Sequence, residues 1–373
     1  MKFKTRFRLT VIFLVGCFIC ACSSIFDDDF YNEPTYEPVF TFDSDKITAE
    51  YAYHFGLFIA NANDHVIVSD YEDIYIFSFD GSSIALVQTI NFTGTSGIWS
   101  MTIHNSSLLF GHADAYGTGT VYVYDRNGNT WDLSQEINIG RVEDLFGSDI
   151  DIDGDIMVIG ASAPWIDDLA SWENKDEGRA YIYRLQDGLW VQNHEFVAEN
   201  TEGDDRFGTC VAAHEDLVLV GSPLAPLHIY RLEDSLVLLR TEEIQARVME
   251  HSGNNFLVGG DYELWSFILE SDGSFTETTI SDFNATDISW DGEIIEMKDS
   301  LAIIDVVDDV VPSDCYLYRF ENQIWTEELV FSPDPGEDCT FHGMAFSDQY
   351  AIVGGMSYSD SRYSYIYFHE LPD

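Results

Sequence analysis

Acidic side chains occupy alternate positions between residues 149 and 153, and they are the first candidates for chemistry. Asp149, Asp151 and Asp153 lead into Gly154. A calcium ion needs six to eight oxygen ligands that converge on one point. The position that would close such a set carries the apolar Met157, and alternation of acid with isoleucine is typical of a strand. We therefore expect an acidic strand edge that ends in a tight turn and holds no metal; calcium binding is the alternative.

The second candidate is an acidic segment between residues 165 and 177. Aromatic rings supply contact area and carboxylates supply oriented hydrogen bonds, a combination that suits sugar or protein ligands. The alternative is a solvated loop whose tryptophans pack back onto the domain. The candidate ligand-binding residues of this segment are Trp165, Asp167, Asp168, Trp172 and Glu173.

Signatures of known catalytic centres are absent from the sequence. It contains no H-E-x-x-H, no G-x-S-x-G and no P-loop, the patterns that hold zinc, a serine nucleophile or a nucleotide phosphate. We therefore assign no catalytic residue.

Short apolar runs recur along the chain and define the elements that carry these residues. Seven runs such as Leu217–Gly221, each preceded by turn residues, recur at intervals of 38 to 61 residues. A strand of alternating aromatic and branched residues follows each run, and a further strand often opens with tryptophan. Seven units of four short strands predict an all-β fold, a seven-bladed β-propeller of antiparallel blades.

The two ends of the repeat array complement each other. Blade seven stops after its third strand, near Leu371, and lacks a fourth. The segment from Val39 to Ile47 precedes blade one and has no blade of its own. We expect this N-terminal strand to complete blade seven and to remove an open sheet edge. An open array or a pair of β-sandwiches is the alternative.

Propeller topology places the loop candidates on one face. The loops that join strands two and three share this face with the connections between successive blades. Segment 165–177 belongs to it, together with residues of blades two, six and seven. These further candidates are His112, Asp114, Asp308, Asp309, Tyr358 and Asp360.

The repeat resembles the FG-GAP family, which forms the propeller of integrin α-subunits and of many bacterial surface proteins. Phe-Gly precedes the predicted first strand at residues 55–56, 146–147 and 207–208, and Gly-Ala-x-x-Pro follows a second strand at residues 160–164. Blades two, five and six lack Phe-Gly. The resemblance covers residues from about 40 to about 370 and implies the propeller fold, with calcium loops in some members; it implies no particular ligand.

The N-terminus resembles a bacterial lipoprotein signal. Four basic residues precede an apolar run from Leu9 to Ala21, which is short for a membrane span. Cys22 follows as the expected lipidation site. Cys17 is the competing site, because residues 14–16 match a lipobox better but leave a shorter apolar run. A plain secretory signal or a short anchor is the further alternative.

Three segments are therefore expected: a signal peptide over residues 1–21, an acidic tether with prolines over 22–38, and the propeller over 39–373. Ser23 and the acidic run 27–29 resemble sorting signals of outer-membrane and surface-exported lipoproteins. A solvated linker is the alternative for this run. We expect an outer-membrane lipoprotein of the bacterial cell envelope, periplasmic or surface-exposed, that contacts the membrane through its lipid alone.

The net charge argues against one class of partner. The formal net charge is −49, and removal of residues 1–21 takes four of the 17 basic residues and leaves 13 against 66 acidic ones. A chain this acidic is repelled by phosphate backbones, so nucleic acid is not an expected partner. The 46% of hydrophobic residues suffices for a large core.

The mature chain offers one candidate disulfide. Cys210 lies in an apolar run and is expected as a buried thiol. Cys315 begins the third strand of blade six, and Cys339 lies in the connection to blade seven. An exported compartment would permit a bond between these two, provided that their Cα atoms lie within about 7 Å. Two separate thiols are the alternative.

Two functions are consistent with these features. The first is a lipid-anchored propeller that binds a protein or glycan through one loop face and needs no cofactor. The second is an extracytoplasmic hydrolase that uses carboxylates at the propeller channel. The lack of catalytic motifs favours the binding module, so we do not expect an enzyme.

Overall fold

In a computed structural model of the chain, every regular element among the described residues is a β-strand. No helix in this part of the chain is long and apolar enough to cross a membrane. The structure describes residues 40–43, 55–62, 64–81, 83–92, 97–113, 117–139, 141, 144–162, 177–198, 205–260, 263–280, 295–306, 314–331, 339–357 and 364–372.

The strands form seven antiparallel blades, six of four strands and one of five. In each blade the first three strands follow one another along the chain from the inner position outward. The inner strands are β2 (Ile59–Ala62), β6 (Gly97–His104), β10 (Phe146–Asp153), β14 (Cys210–His214), β18 (Val248–Ser252), β23 (Ile295–Lys298) and β27 (Cys339–Phe346). The second strands are β3 (His65–Ser69), β7 (Ser107–Ala113), β11 (Ile156–Ala161), β15 (Leu217–Gly221), β19 (Asn255–Gly260), β24 (Leu301–Val306) and β28 (Tyr350–Ser357).

The two remaining positions of each blade complete the sheets. The third strands are β4 (Ile74–Phe79), β8 (Gly119–Asn127), β12 (Arg179–Gln186), β16 (Leu227–Leu232), β20 (Glu263–Leu269), β25 (Asp314–Glu321) and β29 (Ser364–Glu370). The outer strands of blades one to six are β5 (Ile84–Ile90), β9 (Thr130–Ile137), β13 (Leu189–Phe196), β17 (Leu236–Glu242), β21 (Phe275–Glu277) and β26 (Ile324–Phe331). Blade six adds a fifth strand, β22 (Thr279–Ile280), parallel to β26.

The inner strands form a closed ring. Each one contacts the inner strand of the next blade, and β27 of blade seven contacts β2 of blade one. The predicted seven-bladed propeller is therefore confirmed, and the open array and the β-sandwich pair are not.

The N-terminal strand closes the ring as predicted. β1 (Phe40–Asp43) pairs antiparallel with β29, with Phe40 opposite Phe368. It occupies the outer position of blade seven, in the order β1-β29-β28-β27. The first and last described strands of the chain thus share one sheet, and the last blade has no unpaired third strand.

The core consists of seven apolar clusters, each between two successive blades. One of them joins Phe55 and Val66 of blade one to Ile352 and Phe368 of blade seven, so the seam at the chain ends is packed like the others. The remaining six follow around the ring. Because both faces of every sheet are covered, apolar residues are needed on both, and the strand runs are near-continuously apolar.

The Phe-Gly pairs hold blades one, three and four against the blade that precedes each of them. Phe207 is fully buried, and Gly208 has a positive φ of 90°. A Cβ on Gly208 would lie 2.1 Å from the carbonyl oxygen of Arg179 in blade three. The Gly208 carbonyl accepts a hydrogen bond from Ser148 Oγ of that blade at 3.2 Å. Glycine is therefore required both by the left-handed backbone and by the close approach.

Candidate functional site

A tight turn after β3 displays an aromatic residue on the face that carries the blade connections. Asp70 is buried, and its Oδ1 accepts the N–H groups of Glu72 at 2.8 Å and Asp73 at 2.6 Å. Its Oδ2 accepts the Tyr75 hydroxyl at 2.8 Å. These three bonds fix the turn, and the Tyr71 side chain at its tip is 46% exposed.

A second exposed aromatic residue lies beside this turn, at the start of the inner strand of blade two. Trp99 is 42% exposed and stands at a bulge, where the register of β6 against β7 shifts between Ile98 and Ser100. The Ile98 N–H donates to the Tyr71 carbonyl at 3.0 Å. A Cβ on Gly97 would lie 2.6 Å from Tyr71 Cζ, so the tyrosine ring covers the start of β6. We call Tyr71 and Trp99 the aromatic platform.

The connection from blade one to blade two is tied to the same turn. Asp73 accepts the Phe92 N–H at 3.0 Å through Oδ1 and the Asn91 side-chain amide at 2.9 Å through Oδ2. The Phe92 ring stacks on His112 with 4.5 Å between centroids. His112, predicted for this face, is half-buried near the end of β7. His112 therefore packs against the connection between the two blades and is not one of its fully exposed residues.

The carboxyl group under the platform titrates near neutral pH. Burial raises the pKa of Asp70 to about 6, although the N–H bonds from Asp73 and Glu72 lower it in part. Burial and the Asp70 charge also raise the pKa of Tyr75, which stays a hydrogen-bond donor. Protonation of Asp70 would weaken these hydrogen bonds, because a neutral carboxyl group is a poorer acceptor than a carboxylate.

The alternating acids of blade three form a ladder with blade four. They lie on β10, where the sequence predicts an acidic strand edge, and each accepts a backbone N–H from the inner edge of blade four. The pairs are Asp149 Oδ2 with Val211 N at 2.7 Å, Asp151 Oδ2 with Ala213 N at 2.7 Å, and Asp153 Oδ2 with Glu215 N at 2.6 Å. The carboxylates thus cover N–H groups that the inner edge of blade four leaves outside its own sheet.

The spacing of this ladder does not fit calcium. Residues two apart on one strand are separated by about 6.6 Å, so the three carboxylates point at successive N–H groups and do not converge as calcium ligands must. Across the described ranges, no group of three or more His, Cys, Asp or Glu side chains could hold a metal ion.

A histidine of blade five joins the ladder. His251 Nε2 lies 3.1 Å from Asp151 Oδ2. Burial alone would lower the pKa of His251, but the bond to Asp151 outweighs it and raises that pKa. Burial likewise opposes ionisation of Asp151, and the His251 bond and charge leave its pKa lowered. Asp149 has no such partner, and burial raises its pKa to about 7.

A second carboxyl group with a raised pKa lies on the inner strand of blade six. Glu296 is the second residue of β23, and burial raises its pKa to about 8. Asp149 and Glu296 thus both lie on inner strands of the ring, and burial raises the pKa of each.

Comparison with known proteins identifies the repeat. The FG-GAP repeat family matches residues 140–183 and 190–226, which cover most of blade three and the first two strands of blade four. The chain contains FG-GAP repeats within a seven-bladed β-propeller. It is 29% identical to human integrin alpha-11 over 126 residues and 26% identical to the mouse protein over the same length. Each match covers 30% of this chain and 10% of the integrin chain.

Solved structures share the fold of this FG-GAP propeller at low sequence identity. A chain of the crystal structure of the mitotic checkpoint complex aligns over 98% of this chain and 100% of its own length, with a TM-score of 0.59 and 12% identity. Sqt1 of Saccharomyces cerevisiae aligns over 91% of this chain and 100% of its own, with a TM-score of 0.52 and 12% identity. At such identities the likeness shows the fold alone.

Most of the predicted loop-face residues lie outside the described ranges, so their grouping on one face stays a prediction. His112 is among the described residues and lies near the end of β7, and its part in ligand binding stays a prediction. The residues outside are Trp165, Asp167, Asp168, Trp172, Glu173, Asp114, Asp308, Asp309, Tyr358 and Asp360, together with the lipidation candidates Cys22 and Cys17.

The cysteines of the FG-GAP propeller are placed partly as predicted. Cys210 is buried, and burial raises the pKa of its thiol. Cys315 is buried in the cluster between blades six and seven, which also contains Phe341. Cys339 is the first residue of inner strand β27, not part of the connection that precedes it, and its side chain is outside the description. The Cys315–Cys339 bond stays a prediction.

Sequence reasoning missed both platform residues. Tyr71 stands in a short turn, and Trp99 looks like an ordinary residue of the apolar run Gly97–Met101. Only the bulge turns Trp99 outward. The available signals were the acids that flank Tyr71 and the glycine two residues before Trp99.

Proposed function

We propose that this FG-GAP propeller is a binding module that holds a protein or glycan ligand on the face carrying its blade connections. The observation that carries the proposal is the aromatic platform, two exposed rings on a turn and a strand start that hydrogen bonds hold in place. Exposed aromatic side chains on a rigid support are typical of recognition surfaces, because ordering them costs little entropy. We expect the remaining loop-face candidates to extend this surface.

The module is proposed to act outside the cytoplasm. FG-GAP repeats and the likeness to integrin alpha-11 support an extracellular or envelope-facing location. The signal-like N-terminus supports a bacterial outer-membrane lipoprotein acylated at Cys22. Mass spectrometry of the mature N-terminus tests this anchor: diacylglyceryl-Cys22 is expected, whereas an acylated Cys17 or an unmodified terminus contradicts it. A strongly acidic chain makes nucleic acid an unsuitable ligand.

Site-specific crosslinking on living cells tests the binding face. A benzophenone amino acid at position 71 or 99 inserts into C–H bonds of proteins and sugars alike, and it keeps an aromatic ring at the site. Adducts are expected from both positions. The control position is Val191, an exposed residue of outer strand β13, where no adduct is expected. Equal labelling at all three positions, or none, contradicts a ligand on this face.

A hydrolase is the second candidate, because two inner-strand carboxyl groups have raised pKa values. Such values suit a general acid near neutral pH. Asp149 is the less suitable candidate for a general acid, because its Oδ2 already accepts the Val211 N–H. Turnover of polysaccharide by the wild type that Glu296→Gln abolishes would support this function. Turnover that persists in Glu296→Gln would not.

A further inference from the structure

We propose that the aromatic platform binds a neutral carbohydrate, with sugar rings stacked on Tyr71 and Trp99. This inference rests on the proposed binding function and names the ligand class for it. A pyranose ring has an apolar C–H face, which packs on an aromatic ring, and a rim of hydroxyl groups, which need hydrogen-bond partners. The platform offers both kinds of contact within one turn and one strand start.

The supports under the two rings favour a stacking surface. The Tyr71 carbonyl is held by the Ile98 N–H, and the absence of a side chain at Gly97 lets the tyrosine ring lie over the strand. Trp99 is directed outward by a bulge in a strand that is otherwise bonded to β7. Rings mounted on hydrogen-bonded backbone lose little freedom when a ligand stacks on them.

The composition of the exposed apolar surface separates a sugar site from a protein interface. Within the described ranges, the aromatic members of the exposed large hydrophobic set are Tyr71 and Trp99, and both belong to the platform. The aliphatic members lie mainly at the outer strands, where Leu133, Val191 and Val237 are examples. A protein interface core mixes aromatic and aliphatic side chains, whereas the C–H face of a sugar needs rings alone.

Charge selects among carbohydrates. The chain carries a formal net charge of −49, and Glu72 is exposed directly beside Tyr71. Anionic polysaccharides are repelled by such a surface. A carboxylate accepts hydrogen bonds from the hydroxyl groups of a neutral sugar, and charge-assisted bonds of this kind are the stronger ones. The ligand class is therefore a neutral glycan.

Affinity electrophoresis of the mature full-length chain in detergent tests this proposal. The probes are the neutral polysaccharides laminarin, galactomannan, xyloglucan and amylopectin, with polygalacturonate as the anionic comparison. Retardation is expected in at least one neutral gel and not in polygalacturonate. Tyr71→Ala and Trp99→Ala should each weaken the apparent affinity by about tenfold or more, because each removes a stacking ring. Trp99→Phe should retain part of the affinity.

A matched variant keeps the outcome clear. Leu189→Ala removes an exposed apolar side chain on outer strand β13 and should bind like the wild type. Thermal unfolding of each variant shows whether its fold is intact, and Trp99→Phe replaces Trp99→Ala if the latter unfolds. Two results would overturn the carbohydrate inference. One is that Tyr71→Ala and Trp99→Ala are both retarded as strongly as the wild type, and the other is that no neutral polysaccharide retards the wild type. Crosslinks at positions 71 and 99 in that case leave the binding function standing with a protein ligand.

Discussion

Single glycines of the Phe-Gly pairs carry requirements that no other residue meets. Gly56, Gly147 and Gly208 all have φ between 90° and 94°. At Gly208 a positive φ and a close backbone contact coincide, whereas the hairpin glycine Gly188 has a φ of 82° and nothing within 4 Å of the Cβ position. A comparison of substitutions at Gly188 and Gly208 therefore separates the cost of the left-handed backbone from the cost of the close contact.

Gly208→Ala is predicted to destabilise the propeller more than Gly188→Ala. The hairpin variant should cost about 1–2 kcal/mol, the penalty of a left-handed L-residue. Gly208→Ala adds the displacement of the Arg179 carbonyl, 2.1 Å from the new Cβ, at a further cost of about 1–3 kcal/mol. Urea unfolding of both variants measures the difference. Equal losses of unfolding free energy in the two variants would show that the contact between Gly208 and Arg179 adjusts to the added methyl group without a cost in stability.

The Asp151–His251 pair is predicted to hold the pKa of His251 above its usual value. The bond between them is 3.1 Å long. Histidine NMR titrations should show His251 titrating above about 6.5, the unperturbed value. Asp151→Asn should move the midpoint downward, because burial is then opposed only by the Gly253 carbonyl and the Asp153 charge. Asp272→Asn, an exposed acid of blade five, is the control. An unchanged midpoint in Asp151→Asn would contradict the pairing.

The directions of the pKa shifts of His251 and Asp151 determine how the stability of the fold changes with pH. The raised pKa of His251 gives a contribution that is complete below about 6.5 and is lost as pH rises through the folded-state pKa. The lowered pKa of Asp151 gives a contribution that is present above about 3.9 and is lost as pH falls through the folded-state value. Asp149 acts oppositely: because its pKa is raised to about 7, the cost of its burial grows as pH rises above about 3.9 and is complete above about 7.

Among the elements, the outer strands are joined between blades by glutamine and tryptophan. Gln135 of β9 donates through Nε2 to the Trp190 carbonyl at 2.8 Å and accepts the Trp190 N–H through Oε1 at 2.9 Å. Gln88 of β5 makes the same two bonds to Trp131, both 2.8 Å long. The tryptophan that opens the outer strand is therefore a docking point for the preceding blade.

Gln135→Ala is predicted to cost about 1–3 kcal/mol, because it leaves two backbone groups of Trp190 without their partner. Gln135→Glu should lie between this variant and the wild type, since a carboxylate keeps the acceptor and loses the donor. Gln186→Ala, at an exposed end of β12, should be near neutral. Chemical denaturation measures all three. If Gln135→Ala loses no more unfolding free energy than Gln186→Ala, the two hydrogen bonds between Gln135 and Trp190 do not stabilise the fold.

The elements were the most predictable level of the structure. The run Leu217–Gly221 coincides with strand β15, and the tryptophans at 131, 190 and 325 lie at the second position of outer strands. Apolar runs bounded by turn residues encode such strands directly. The fifth strand of blade six, β22, was not predicted, because two residues bonded in parallel to β26 carry no periodic signal.

Bulges account for much of what the sequence did not reveal. The register between third and outer strands shifts at the same place in five blades, for example between Ile182 and Tyr183. A bulge changes which face a residue occupies without changing the residue pattern. Trp99 is exposed for this reason, so the platform could be found only from the structure. The acidic edge on β10 was predictable, but its partners 62 residues further along the chain were not.

At the scale of the whole molecule, closure of the ring depends on four residues from the start of the chain. All seven apolar clusters between blades are covered only if the blades form a complete circle. β1 is the outer strand of the last blade in that circle. Its backbone pairs with β29 from Phe40 to Asp43. Without it, β29 would be an unpaired edge beside the seam to blade one.

Deletion of residues 23–48 is therefore predicted to destabilise the propeller, whereas deletion of residues 23–38 is not. The shorter deletion removes only the expected tether and keeps β1. The longer one removes the four-residue pairing with β29, worth about 2–6 kcal/mol if about four hydrogen bonds contribute about 0.5–1.5 kcal/mol each. Thermal unfolding should show a single lowered transition, because a loosened blade seven weakens its seams with blades one and six. Equal transition temperatures in the two deletions would mean that the seams alone hold the ring closed.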